Sequence, residues 1–176
     1  MSLALGDRAP ALELPDTAGA TNALPDPGAA AATAVIWTCN HCPYALAWHE
    51  RIQAAIADYE AREVRFLQVN SNDAERYPAD APEAMRARVE AGEFASPYLH
   101  DADQQVARAF GALKTPDVFV FDRDLRLAYR GAPDADYEDP AQGAAWLRGA
   151  LDAVLAGRSP DPAETDPVGC GVKWRA

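Results

Sequence analysis

The chain has 176 residues, 49% of them apolar, and its 27 acidic against 16 basic side chains give a formal net charge of −11. That size and composition allow one domain with its own core, and the negative balance disfavours nucleic acid and anionic lipid as partners. Three cysteines exclude a small disulfide-held scaffold, and no run approaches the roughly 18 apolar residues of a membrane-spanning helix.

The opening "MSLALGDRAPALELPD" has no basic segment leading into an apolar one, so no secretory signal is expected and the cytoplasm is the default compartment. "ALEL" (11–14) and "NAL" (22–24) are short extended segments flanked by Pro, Asp and Gly, suited to a small opening hairpin. "ATAVIWT" (32–38) is continuously apolar and rich in β-branched residues, as in a strand buried on both faces. After Cys42, the positions Ala45, Trp48, Ile52, Ala55 and Tyr59 recur at three- and four-residue steps and predict an amphipathic helix, with Pro43 in its first turn.

"EVRFLQVN" (63–70) predicts the next strand. Asp80, Pro82 and Glu83 then form a helix-start signature ahead of "AMRARVEAG". A shorter helix is expected within 101–113, then two strands, "DVFVFD" and "LRLAYRG", joined by "RD". A last helix ends at Gly157, and the Pro- and Asp-rich tail 158–176 reads as an irregular arm carrying Cys170. The alternation gives an α/β fold with a central mixed sheet and helices on both faces. It divides into 1–157, with an N-terminal hairpin extension (1–31) and a helical insertion (71–100), followed by the arm.

The chemistry concentrates in "IWTCNHCPY" (36–44). A strand ending at Thr38-Cys39 and opening into a helix places Cys39 at a helix N-terminus, where unpaired N–H groups favour a thiolate. Cys42, one turn on, is within reach for a disulfide. Cys39 is then expected as the outer, attacking sulfur and Cys42 as the thiol that resolves the mixed disulfide. His41, as imidazolium, would further stabilise the thiolate.

Three chemistries compete for this pair: inert buried cysteines, a metal site built from Cys39, Cys42, Cys170 and a histidine, and thiol–disulfide exchange. A Cys-x-x-Cys at a strand-to-helix turn favours exchange, and no second pair supplies a full metal set. Because exchange uses protein sulfur only, no metal and no bound cofactor is expected.

Thr115-Pro116 precedes a β run. A cis bond there would present the Thr115 backbone to an extended substrate, whereas a trans proline would simply start the strand. Thr38, Asn40 and His41 join Thr115 and Pro116 as candidate substrate contacts. Cys170, between two glycines, is either a second resolving thiol or a tail residue packed beside Trp174. "NSND" (70–73) is read as a cap or turn, "DADYED" (134–139) as a solvated turn, and His49 and His100 as surface or satisfied core residues.

Together, "LGDRAPALELPDTAG", "CNHCPY", "NSNDAERYPADAPEAM", "TPDVFVFD", "LAYRG" and "GCGVKW" resemble the thioredoxin superfamily. Within it they are similar to the peroxiredoxin-like, alkyl-hydroperoxide-reductase/thiol-specific-antioxidant proteins, across nearly the whole chain. The resemblance implies a three-layer thioredoxin fold, Cys39 and Cys42 as first and second active-site cysteines, Pro116 as a cis proline, and antioxidant activity. Its implied partners are protein or small-molecule disulfides and thiols, a peroxide, and a cellular reductant. Two departures matter. Peroxiredoxins carry Thr three and Pro seven residues before the peroxidatic cysteine, where this chain has Ile36 and Ala32. A histidine just before the second cysteine resembles the more oxidising disulfide isomerases. The expected activity is therefore thiol–disulfide exchange through Cys39 and Cys42. The alternatives are a thiol peroxidase resolved by Cys42 or Cys170, and a non-enzymatic metal- or partner-binding module.

Overall fold

The computed structural model describes residues 2–26, 28 and 30–176. The opening hairpin pairs β1 (Leu12–Pro15) with β2 (Thr21–Leu24). The main sheet is built from β3 (Ala32–Trp37), β4 (Val64–Asn70), β5 (Tyr98–His100), β7 (Asp117–Phe121) and β8 (Leu127–Gly131). Its order is β5-β4-β3-β7-β8, with β3, β4 and β5 parallel and β7 and β8 antiparallel to their neighbours. The helices are α1 (Pro43–Tyr59), α2 (Pro82–Glu90), α3 (Gln105–Phe110) and α4 (Ala145–Leu155). Two short strands, β6 (Lys114–Thr115) and β9 (Cys170–Gly171), pair antiparallel away from the main sheet.

Strand β3 is buried at every position, as its unbroken apolar run requires. Alternate side chains serve opposite faces. Ala32, Ala34 and Ile36 join Val118 and Val120 beneath Trp48, Ile52 and Ile56 of α1 and Leu147 and Leu151 of α4. Val35 and Trp37 face the other way, onto Leu67, Phe119, Phe121, Phe110 of α3 and Leu12 and Leu14 of β1. Trp37 sits tilted against Phe110 at 5.0 Å and edge-on to Phe119 at 5.4 Å, the geometries aromatic rings prefer. The two cores fix both ends of the β3–α1 connection, where the cysteines lie.

Several local expectations are corrected. The β7–β8 connection is longer than "RD": Asp122 Oδ1 accepts N–H groups of Asp124 and Arg126, and Leu125 takes a left-handed conformation to close the loop. Within 71–100, read as a helical insertion, β5 adds a parallel edge strand; three residues without alternation carry no signal of their own. The segment 134–139 is not solvated throughout. Asp134 is buried, accepting from Trp48 Nε1 at 2.7 Å, twice from Arg51 and from the Ala144 N–H at the start of α4. The tail is also not wholly irregular, because β9 returns to the molecule and Thr165 accepts from Ala132 N and contacts the Tyr129 hydroxyl.

Candidate active site

At the end of β3 the chain turns through Thr38-Cys39-Asn40-His41-Cys42. Helix α1 starts at Pro43, so Cys42 is its N-cap, with extended backbone, and does not lie inside the first turn as expected. The Cys42 carbonyl accepts the first helical bond, from Leu46 N, and its N–H turns back to donate to Cys39 Sγ at 3.3 Å. Cys39 Sγ is also 3.5 Å from the Thr115 hydroxyl, while Cys42 Sγ lies 3.2 Å from the Thr115 carbonyl oxygen. Thr115–Pro116 is cis, as the resemblance implied. All three cysteines are free thiols.

The two sulfurs titrate as a pair. Their mutual hydrogen bond draws one ionisation below the ordinary thiol range and pushes the other above it, with burial adding to the rise. The sulfur–sulfur bond first, and then Cys170, the Ala45 N–H and the Thr115 hydroxyl, place the lower ionisation on Cys42 against the effect of burial. Two direct contacts act in the other sense. A carbonyl can only accept, so the Thr115 O contact favours the protonated form of Cys42, whereas Cys39 faces a backbone donor and a hydroxyl that can donate.

One expectation fails. Cys39 is 1% exposed and Cys42 0%, so neither is an outer sulfur in this conformation. Tyr44 and Cys170 pack against them. Burial first, then the neighbouring Cys42 thiol, push the Cys170 pKa up to about 11.

Beneath the cysteine turn lies a residue the sequence had marked only as a helix start. Asp80 is fully buried and does not cap α2, whose N-cap Ala81 makes no side-chain bond. Asp80 Oδ1 instead accepts from Asn40 N at 2.7 Å and Asn70 Nδ2 at 3.0 Å, and Oδ2 accepts from Asn72 Nδ2 at 3.0 Å. His41 Nδ1 is 2.5 Å from Oδ2, although its N–H is not aligned on that oxygen, and its ring stacks on Tyr77. Asn40 is equally engaged: its Nδ2 donates to Ala79 O, and its Oδ1 accepts from Tyr98 OH and Arg88. Burial raises the Tyr98 pKa well above its usual value, so this hydroxyl stays a donor. Thr38 is buried, and its N–H continues the β3–β4 pairing to Val69 O at 2.9 Å.

The structure thus brings Cys39, Cys42, Cys170, Thr115 and Pro116 together. Asn40 and Thr38 are committed to the scaffold. His41 sits beside the site against Asp80. The "NSND" run is a buried polar support and not a surface turn: Asn70 and Asn72 hold Asp80, and Ser71 links Trp37 to Asp101. Polar residues directly at the end of an apolar strand were the available sequence signal; their partner, up to ten residues on, was not legible. Cys39, His41 and Asp80 place ligand atoms within 4.8 Å of one another, a sulfur–nitrogen–oxygen set of the kind that suits zinc, although three N–H donors already occupy the carboxylate. Among the described residues, no helix is long and apolar enough to cross a membrane.

The chain is similar to two solved structures over nearly its full length. A hypothetical protein from Sinorhizobium meliloti 1021 is 37% identical, with 100% of this chain and 97% of that one covered and a TM-score of 0.92. An uncharacterized conserved protein from Geobacillus kaustophilus is 38% identical, with 98% and 93% covered and a TM-score of 0.91. The peroxidoxin BcpB from Mycobacterium tuberculosis, 17% identical with 88% and 95% covered and a TM-score of 0.62, shares the thioredoxin fold. No curated protein matches the chain. The AhpC/TSA family model matches residues 5–130, the span from the opening hairpin through the Cys39–Cys42 turn and Pro116 to β8, and the chain belongs to that family.

Proposed function

We propose that the protein is a thiol–disulfide oxidoreductase working through Cys39 and Cys42. The observation that carries this reading is the opposed environment of the two sulfurs, with an N–H donated to Cys39 and a carbonyl acceptor facing Cys42. The Cys39 thiolate attacks a substrate disulfide, expelling one substrate sulfur as a thiolate and forming a mixed disulfide. Cys42 then gives up its proton and attacks Cys39 Sγ, which releases the second substrate thiolate and leaves a Cys39–Cys42 disulfide. Two electrons have passed to the substrate, and an external dithiol restores the pair. Thr115, next to Pro116, offers its backbone to the substrate chain. Because both sulfurs are buried, whatever covers them must move before attack. Cys39→Ser is expected to abolish reduction of insulin disulfides, and Cys42→Ser to trap mixed disulfides on Cys39; unchanged turnover in the first variant refutes the assignment.

A second reading is a thiol peroxidase, favoured by the third thiol in contact with the pair. Peroxide would oxidise Cys39 to a sulfenic acid with release of water or alcohol. Cys42 or Cys170 would then attack that sulfur and expel water as the disulfide forms. Ile36 and Ala32, standing where peroxiredoxins carry Thr and Pro, weigh against it. Hydrogen-peroxide consumption with a reductant separates the two readings.

A further inference from the structure

The surface beside Cys39 that would receive an extended substrate is already filled, by the chain itself. Cys170 stands opposite Thr115 and Gly171 opposite Lys114 in an antiparallel pair, and Val172 N donates to Leu113 O at 3.0 Å. The approach is tightest at Gly169, where an added Cβ would lie 2.2 Å from the Thr115 carbonyl oxygen and 2.8 Å from its carbon. Two residues later the backbone has room, and a Cβ on Gly171 would meet nothing closer than 3.9 Å. The segment is tied down on either side. Thr165 N donates to Arg130 O upstream; downstream, Lys173 exchanges bonds with Asp73 N and Asn72 Oδ1, and Arg175 N donates to Gln104 Oε1. Between those ties, the cysteine of the strand packs against the Cys39 and Cys42 pair.

We propose that the chain's own Gly169–Gly171 is a displaceable cover of the Lys114–Thr115 edge, and that a peptide replacing it there carries glycine immediately before its cysteine. This rests on the exchange reading for the role of the site, but the occupancy is a separate matter. An incoming peptide must displace the arm, and the close approach at position 169 selects glycine immediately before the cysteine. The arm therefore both shields the thiol pair and states the backbone chemistry of what replaces it.

The test compares two matched substitutions in the full chain, read by iodoacetamide labelling with each cysteine mapped by mass spectrometry. Gly169→Ala should lift the strand and raise the Cys39 labelling rate about tenfold or more, equivalent to about 1.4 kcal/mol of lost closure. Gly171→Ala should stay within about twofold of the wild type. A serine-for-cysteine peptide copy of residues 167–174 should slow labelling of the Gly169→Ala protein, and the same peptide with alanine in place of its first glycine should not. Equal rates in the two variants, or no protection by the first peptide, overturn the proposal. Should Gly169→Ala not fold, hydrogen exchange on the wild type decides instead. Labelling of Cys39 must then follow opening of the Val172 amide across a urea series, and fast labelling with that amide still protected refutes the occupancy. No readout involves turnover, so these outcomes leave the exchange reading to its own test.

Discussion

Replacing Asp80 with asparagine isolates the charge beneath the cysteine turn while keeping its shape. The carboxylate is fully buried and receives three N–H donors, from Asn40, Asn70 and Asn72. A hydrogen bond to a charged group contributes about 1.5–3 kcal/mol and a neutral one about 0.5–1.5. The neutral amide of Asp80→Asn would weaken the bonds on Oδ1 and, with its NH2 at the Oδ2 position, would oppose the Asn72 donor. The expected loss is about 2–4 kcal/mol, which for a domain of this size lowers Tm by about 5–15 °C. The thiols should respond in the opposite sense to simple damage. Behind the sulfur–sulfur bond and burial, the Asp80 charge is a further influence pushing the Cys39 pKa up, so removing it should lower the pH at which Cys39 ionises. Urea unfolding measures the first effect, and the pH profile of ultraviolet thiolate absorbance the second. Stability within about 0.5 kcal/mol of the wild type, or an ionisation moving to higher pH, would show that Asp80 does not support the turn as argued.

Three further predictions concern other buried groups. Asp134→Ala strands the Arg51 guanidinium and the Trp48 N–H between α1 and α4, and should cost about 3–5 kcal/mol in chemical unfolding, with the thiol titration unchanged. Burial pushes the Asp117 carboxyl up to about 7, with Arg130 only partly opposing it. The folded state thus keeps a proton that the unfolded chain loses, so this stability is complete below the ordinary carboxyl pKa of 3.8 and is lost as pH rises through about 7. Asp117→Asn should therefore gain on the wild type between about pH 4 and pH 7, by up to roughly 4 kcal/mol, and urea midpoints that keep a constant gap would contradict this. Gly131→Ala meets Thr165 Oγ1 at a Cβ distance of 2.0 Å from a backbone with φ +145, and should destabilise by several kcal/mol. Thr165→Ala in the same chain should recover only part of that loss, since the Thr165 main chain also crowds the position.

The elements that bury apolar surface could be read from the amino-acid order without any fold. The run in β3 and the three- and four-residue spacing in α1 each carry their own period, so strand, helix and the Cys-x-x-Cys between them were legible without any partner. So was the resemblance that marked Pro116. The polar and reactive part took shape only on folding. Asp80 serves Asn40 across forty residues, β5 exists only as a neighbour of β4, and β9 is held on β6 by backbone bonds to which side-chain patterns contribute nothing. The burial of both sulfurs belongs to the same group: the turn's sequence placed Cys39 outside, whereas in the fold it is buried, with Cys170 of a strand more than 130 residues away packed beside it. Periodicity is a local record of burial, whereas hydrogen bonds between distant polar groups and close backbone contacts leave no repeating trace, and only the folded chain brings them together.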